Sequence, residues 1–65
     1  MDFEFIDLKR REQNLTVTAL CEMAEIDRGT YIKMKAQPDA IRLSTFLKIC
    51  DALNLDTDDR AKALT

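Results

Sequence analysis

The sequence predicts an all-α fold, a compact bundle of about five short helices in a single domain of residues 1–65. A single glycine and a single proline leave few of the turn residues that a sheet protein needs. Apolar residues recur at spacings of three and four, the period of an amphipathic helix. A content of 46% apolar and 34% charged residues, with a net charge of −2, is typical of a globular chain.

The first two helices are predicted from their apolar faces and their end residues. The first runs from Phe3 to Glu12, and Asn14 after it tolerates the left-handed conformation that helix ends often need. Thr16 is the expected N-cap of a second helix from about Val17 to Ala24, because its hydroxyl can accept a hydrogen bond from a free backbone amide. The apolar positions expected on these helices are Phe5, Ile6, Leu8, Leu20, Cys21, Met23 and Ala24.

The third helix is predicted over residues 28–35. Asp27 is its expected N-cap, and the charge of that carboxylate suits the positive end of a helix. Tyr31 and Met34 lie three residues apart, so we expect both to face the core. A loop that contains Pro38 follows this helix.

Two further helices are predicted in the last third of the chain. One begins at Leu43 or Ser44 and ends at Leu53, with a broad apolar face typical of a helix at the centre of a small bundle. Thr57 is the expected cap of a last short helix. The apolar positions expected on these helices are Leu43, Phe46, Leu47, Ile49, Cys50, Leu53, Ala61 and Leu64.

The composition excludes several chemistries. The chain has no histidine, so Ser-His-Asp and Cys-His catalytic groups lack their base, and one glycine cannot build a phosphate-binding loop. Cys21 and Cys50 are the only thiols, and they do not form a C-x-x-C pair. We therefore expect no enzyme activity, no cofactor and no metal. No apolar run approaches the roughly 18 residues that span a bilayer, and the acidic start does not resemble a secretory signal, so a cytoplasmic protein with reduced, buried cysteines is expected.

The connection between the second and third helices is the most informative feature. Only residues 25–27 separate them. A turn this short makes two helices cross at roughly 90–120°, which is the helix-turn-helix arrangement, here in residues 16–36. In that motif the second helix lies in the DNA major groove and its first residues reach base edges.

Residues 15–31, LTVTALCEMAEIDRGTY, resemble the helix-turn-helix of the lambda-repressor-like regulators, the Cro/repressor or XRE-type family. Residues 43–55, LSTFLKICDALNL, are similar to the fourth helix of that family, and Ile6 and Arg10 match its first helix. The resemblance covers residues 6–55. It implies a lambda-repressor-like helix-turn-helix domain whose partner is double-stranded DNA.

The resemblance also implies the residues of a DNA site. Arg28 falls on a base-reading position and is expected to pair with a guanine, and Ile32 is expected to touch a thymine methyl group. Gly29 would leave room for a close approach of the backbone, and Lys33 would reach a guanine or a phosphate. Phosphate contacts are expected from Arg10, Thr16, Val17, Thr18, Lys35 and Arg42.

The chain departs from the family pattern at several positions. Val17 stands where the family usually has glutamine, and Glu25 stands where it has the turn glycine, at a cost of about 1 kcal/mol. Lys35 replaces the glutamate that many members pair with the arginine at the Arg10 position, so that ion pair cannot form. Tyr31 is bulky for a position that usually holds a branched aliphatic residue.

The distribution of charge matters more than the net charge of −2, which by itself is unfavourable for DNA binding. Residues 28–48 hold five basic side chains and a single acidic one, Asp39. We therefore expect a dipolar molecule with a basic DNA face and a modest, salt-sensitive affinity that depends on dimerisation.

Two functions are consistent with the sequence. The leading hypothesis is a sequence-specific DNA-binding transcriptional regulator, a small Cro-like repressor that occupies its operator as a homodimer. Leu55, Ala61 and Leu64 form either part of the core or a dimer patch, and the patch is favoured because a monomer reads few base pairs. The alternative is a protein-interaction module of the same fold that binds a partner repressor or other regulator, which Val17, Glu25 and Ile32 favour.

Overall fold

The computed structural model describes residues 1–65, which form helices and no strand. The helices are Phe3–Glu12 (α1), Val17–Ala24 (α2), Arg28–Ala36 (α3), Leu43–Ala52 (α4) and Thr57–Leu64 (α5), with a 3₁₀ turn at Pro38–Ala40. The predicted all-α fold is confirmed, and α1 and α2 have their predicted bounds. α3 runs one residue further than predicted, and α4 ends one residue earlier. None of these helices combines the length and the apolar character needed to cross a lipid bilayer.

Side-chain caps begin four of the helices. An oxygen of Asp2, Thr16 or Asp27 accepts the N–H three residues further on, at 3.2, 3.0 and 2.9 Å respectively. On α5 the cap is Asp56, whose carboxylate accepts the N–H of Asp59 at 2.8 Å. The prediction of Thr57 as this cap is wrong by one residue, because Asp56 has the extended backbone of a cap and Thr57 is already helical.

Three helices end in the same backbone arrangement. Asn14, Glu25 and Asn54 adopt the left-handed conformation, with φ of 57°, 58° and 56°. The next residue then donates its N–H back to a carbonyl in the preceding helix, at 3.2, 3.0 and 3.0 Å. This is the Schellman motif, in which the residue after the left-handed one commonly makes an apolar contact. The residues that follow are Leu15, Ile26 and Leu55, and all three are at least partly buried.

The core lies between α2 and α4, with the other helices packed around them. Its members are Ile6, Leu20, Cys21, Ala24, Tyr31, Met34, Phe46, Ile49, Cys50, Leu53, Leu55 and Ala63. The ring of Phe3 meets the Tyr31 ring edge to face, with centroids 5.2 Å apart. Every buried side-chain nitrogen and oxygen has a hydrogen-bond partner, so the small core carries no unsatisfied polar group.

The predicted dimer patch needs a correction at Leu55. Its side chain is only 5% exposed, because the N–H of Leu55 closes onto the Cys50 carbonyl and turns the residue into the core. Ala61 and Leu64 are exposed, and Ala63 is the residue that α5 buries.

Four other apolar residues lie outside the core in which they were expected. Leu8 on α1 is 47% exposed, Met23 on α2 is 53% exposed, and Leu43 and Leu47 on α4 are exposed as well. The buried stripe of α4 follows Phe46, Ile49, Cys50 and Leu53 at spacings of three and four. A short helix in a bundle of this size is covered along one stripe only, so its remaining apolar residues face solvent.

Candidate nucleic-acid interface

The turn between α2 and α3 holds the two helices of the predicted helix-turn-helix together. α2 ends at Ala24, Glu25 takes the left-handed conformation, and α3 begins after the cap Asp27. Ile26, in the middle of the turn, is partly buried and packs against the core. Asp27 accepts the N–H of Thr30 at 2.9 Å and its hydroxyl at 2.7 Å, and the hydrogen bonds from Thr30 lower the pKa of this carboxyl.

The two faces of α3 have different surroundings. Tyr31 and Met34 are buried against the rest of the bundle, as predicted. The four residues of the opposite face are all exposed, and they are the ones predicted to read bases: Arg28, Gly29, Ile32 and Lys33. The fold therefore presents this face of α3 to solvent, and base reading by it stays a prediction.

Gly29 sits on this face without a structural need for glycine. A Cβ at this position would meet only Asp27 Oδ1 at 3.7 Å, which is an ordinary contact. Its backbone φ is not positive either. The absence of a side chain at position 29 thus leaves space on the outer face of α3 rather than inside the fold.

The ion pairs of the chain divide its cations into two groups. Lys9, Arg10, Arg11 and Arg60 each lie within 4.0 Å of a carboxylate. None of the five cations between residues 28 and 48 has a carboxylate partner at that distance. These five are Arg28, Lys33, Lys35, Arg42 and Lys48. Positive charge is therefore unneutralised in residues 28–48, while the cations of α1 are compensated; Lys62 on α5 has no carboxylate partner either.

A recess between α3 and the start of α4 brings two of these free cations together. It has a volume of about 310 Å³, and Lys33, Arg42 and Thr45 are among the residues that line it. Thr30 lines it as well, but its hydroxyl already donates to Asp27 Oδ1 at 2.7 Å. Two cations and the hydroxyl donor of Thr45 suit the oxygens of a phosphate group. Arg42 is thus placed beside Lys33, which sequence spacing alone does not reveal.

The N-terminus of α2 provides backbone donors for an anion. The Thr16 hydroxyl accepts the N–H of Ala19 at 3.0 Å, and the first helical bond runs from Leu20 to the Thr16 carbonyl. The N–H groups of Val17 and Thr18 precede that bond, so they have no partner within the helix. Together with the positive end of the helix dipole, these donors favour a phosphate oxygen here.

Arg10 of α1 lies inside a hydrogen-bond network that extends to Tyr31 of α3. Its guanidinium donates to Asp7 Oδ1 at 2.9 and 3.1 Å and to the Leu15 carbonyl at 2.6 Å. The Tyr31 hydroxyl donates to the same Asp7 oxygen at 2.8 Å, and Arg11 pairs with the other oxygen at 3.2 Å. Three of the five donors on the Arg10 guanidinium are thus engaged in the fold, and the phosphate contact expected of Arg10 stays a prediction.

The pKa values of this network follow from burial and hydrogen bonding. Burial alone would raise the pKa of Asp7, but the hydrogen bonds from Tyr31 and Arg10 outweigh it and lower the pKa. Burial and the bond to Asp7 raise the pKa of Tyr31 to about 12. Asp7 is thus the carboxylate partner of Arg10, and Tyr31 donates to the same carboxylate.

Sequence reasoning missed the contacts of Asp7 with Arg10 and Tyr31, although two signals pointed to them. Tyr31 is a polar aromatic residue at a buried position, where its hydroxyl needs a partner. Asp7 stands three residues before Arg10 on the same helix, a spacing at which side chains meet.

The remaining chemistry of the chain is limited. Nowhere are three cysteine or carboxylate side chains grouped so that they could hold a metal ion. Cys21 and Cys50 are free thiols in the core, and burial raises the pKa of both.

A family model described as the Cro/C1-type HTH (helix-turn-helix) DNA-binding domain matches residues 6–59. The matched stretch contains α2, the turn, the whole of α3 and the recess that follows it. No curated protein matches the chain, and no solved structure matches it either.

Proposed function

Because the chain belongs to the Cro/C1-type helix-turn-helix DNA-binding family, we propose that it is a sequence-specific transcriptional regulator, a small repressor that acts by occupying an operator. The observation that carries the proposal is the set of five cations in residues 28–48 that have no carboxylate partner. A protein neutralises phosphates with such cations, and release of the DNA counterions then favours binding. The net charge of −2 matters less than this local excess of positive charge.

Phosphate contacts set the position of α3 on the duplex. The free amides at the start of α2 and the hydroxyls of Thr16 and Thr18 bind one phosphate, as helix N-termini do. Lys35 and Arg42 neutralise others. Because these contacts go to the sugar-phosphate backbone, they fix register and orientation without selecting a sequence.

Base contacts come from the outer face of α3. Arg28 donates to the O6 and N7 atoms of a guanine in the major groove, and Lys33 reaches a second guanine or a phosphate. Gly29 lets the helix backbone come close to the bases. The network of Asp7, Arg10 and Tyr31 supports this face by tying α3 to α1.

Binding as a homodimer completes the proposal. A single α3 reads only a few base pairs, so useful specificity needs two half-sites about 34 Å apart. Leu43 and Leu64, 66% and 58% exposed, flank a groove of about 210 Å³ that Ile41 and Phe46 also line. We assign this groove to the contact with a second copy of the chain. Occupancy of the operator by the resulting dimer would exclude polymerase.

The test is selection from a pool of random duplexes at low and at near-physiological salt, followed by sequencing of the retained DNA. Enrichment of a short palindrome is the expected result. Arg28→Ala should then lose about 1–3 kcal/mol of binding and relax the preference at one base pair. Lys62→Ala is the matched control, since Lys62 is a free cation on α5. Retention without enrichment that disappears as salt rises would contradict sequence-specific binding.

The alternative, a module that binds a partner regulator, is favoured by one observation. Ile32 is 61% exposed in the middle of the outer face of α3. For that function Ile32→Ala would abolish binding of the partner protein, and Arg28→Ala would leave it intact. The same two variants therefore separate the two functions.

A further inference from the structure

A recess between α1, α2 and α3 has an aromatic side that the predicted DNA contacts leave out. Its volume is about 310 Å³, at the lower end of the range for small-molecule sites. Phe3 of α1 and Tyr31 of α3 both line it, and their rings meet edge to face with centroids 5.2 Å apart. Val17 and Ile32 supply aliphatic surface, and both retain contact with solvent. The recess therefore offers apolar surface from three helices to a ligand of small size.

Cations outnumber carboxylates in this recess. Arg10, Arg28 and Lys35 line it, and Asp7 is the one carboxylate that does. Neither Arg28 nor Lys35 has a carboxylate within 4.0 Å. The recess thus carries unneutralised positive charge beside its apolar surface.

The carboxylate of Asp7 is already engaged by groups of the fold. Its Oδ1 accepts hydrogen bonds from Tyr31 and Arg10, and its Oδ2 pairs with Arg11 at 3.2 Å. Both oxygens therefore have cationic or hydroxyl partners, and little of their charge is left to repel an anion that enters the recess.

We propose that this recess binds a small aromatic carboxylate, and that the bound ligand excludes DNA from α3. The ring of the ligand packs against Phe3, Tyr31 and Ile32. Its carboxylate accepts a bidentate pair of hydrogen bonds from Arg28 and lies near the charge of Lys35. Arg28 and Ile32 are also predicted to read bases, so they cannot contact the ligand and DNA at once. The exclusion of DNA rests on the proposed function, whereas the ligand site does not.

The two parts of the ligand follow from the two kinds of surface in the recess. An uncharged apolar molecule would cover Arg28 and Lys35 without giving either cation a partner, which costs free energy. An anion without an apolar body would leave the exposed parts of Phe3 and Ile32 in water. An aromatic ring serves best as that body, because it extends the Phe3–Tyr31 pair and its face also attracts a guanidinium.

Three probes test this chemistry by calorimetric titration of the free, full chain. 1-Naphthoate carries a ring and a carboxylate, 1-naphthamide carries the ring without the charge, and acetate carries the charge without the ring. 1-Naphthoate should bind at least about tenfold more tightly than either, since a charged hydrogen bond and a buried ring each contribute that factor. Its binding should shift the backbone amide NMR signals of Arg28 and Ile32.

Variants assign the binding to the recess. Ile32→Ala and Lys35→Ala should each weaken the binding of 1-naphthoate by about threefold or more. Met23→Ala and Lys48→Ala are the matched controls, because Met23 is exposed and apolar, Lys48 is a cation without a carboxylate partner, and neither lines the recess. Thermal unfolding of each variant checks that it is folded.

Competition with DNA uses the duplex that the selection retains. At about ten times the Kd of 1-naphthoate, the apparent Kd for the duplex should rise about tenfold, because the ligand removes the DNA-competent chain by mass action. Sodium acetate at the same concentration matches the ionic strength and should not reproduce this rise.

The outcomes separate the ligand site from the function of the chain. No binding of 1-naphthoate, or equal binding of 1-naphthoate and 1-naphthamide, would overturn the proposal. Binding that is unchanged in both Ile32→Ala and Lys35→Ala would also overturn it. An enriched palindrome whose affinity ignores bound 1-naphthoate would overturn the exclusion of DNA and uphold the proposed function. Selective binding of 1-naphthoate by a chain that enriches no sequence would overturn the proposed function and uphold the ligand site.

Discussion

Substitution of Gly29 by alanine separates what the fold needs from what DNA binding needs. The position is exposed, its φ is not positive, and a Cβ there meets one atom, Asp27 Oδ1, at 3.7 Å. Alanine loses less backbone entropy than glycine on folding, so Gly29→Ala should stabilise the free protein by about 0.5–1 kcal/mol. At roughly 4–8 °C per kcal/mol for a small domain, the unfolding midpoint should rise by about 2–8 °C.

The same methyl group should weaken DNA binding if the α3 backbone approaches the bases closely. We expect a loss of about 1–3 kcal/mol, or about five- to 150-fold in Kd. Circular dichroism melts measure the first effect, and anisotropy titrations with the selected duplex measure the second. The control variant Lys62→Ala, on α5, should change neither the unfolding midpoint nor the Kd for the duplex strongly. A stabilised variant that binds as tightly as the parent would refute the close approach, and a destabilised one would refute the open surroundings of position 29.

Three further predictions concern the fold. Tyr31 is the only tyrosine, so the absorbance of its phenolate measures its pKa directly, and that pKa should be about 12 in the folded chain. The stability that burial of the neutral phenol provides should be complete below pH 10 and lost as pH rises through 12. A titration midpoint at the ordinary value of 10 would contradict the hydrogen bond to Asp7. Glu25→Gly should raise the free energy of unfolding in urea by about 1 kcal/mol because φ is 58°, and an unchanged value would show that the left-handed turn is unstrained. Cys21 and Cys50 should resist alkylation until denaturant is added, since both are buried with raised pKa values, and rapid labelling of the folded chain would disprove that burial.

Local structure was predictable because its causes lie within a few residues. The caps Thr16 and Asp27 act on amides three residues away, and the turn after α2 is limited by its length. The outer face of α3 was predictable for the same reason, since Tyr31 and Met34 orient the helix and place Arg28 and Ile32 on the other side.

Apart from the cap of α5, the errors arose where a residue had to be assigned to the core or to the surface. Leu55 and Leu64 are the same residue type close together in the sequence, yet one is buried and the other is exposed. Leu55 is buried because the Schellman hydrogen bond after Asn54 turns it into the core. Leu64 is exposed because α5 packs against the core through Ala63. Periodicity identifies an apolar stripe but not which of its members a neighbouring helix covers.

The sequence by itself determined the helices, the caps Thr16 and Asp27, the short turn and the outward face of α3, because hydrogen bonds and side-chain periodicity act over one or two turns of helix. Only the tertiary structure decided that the Tyr31 hydroxyl of α3 donates to the Asp7 carboxylate of α1, and that Arg28, Lys35 and Arg42 keep no carboxylate partner. It also decided that Val17 and Ile32 line one recess. Both results depend on distances between separate helices, and spacing along the chain does not determine those distances.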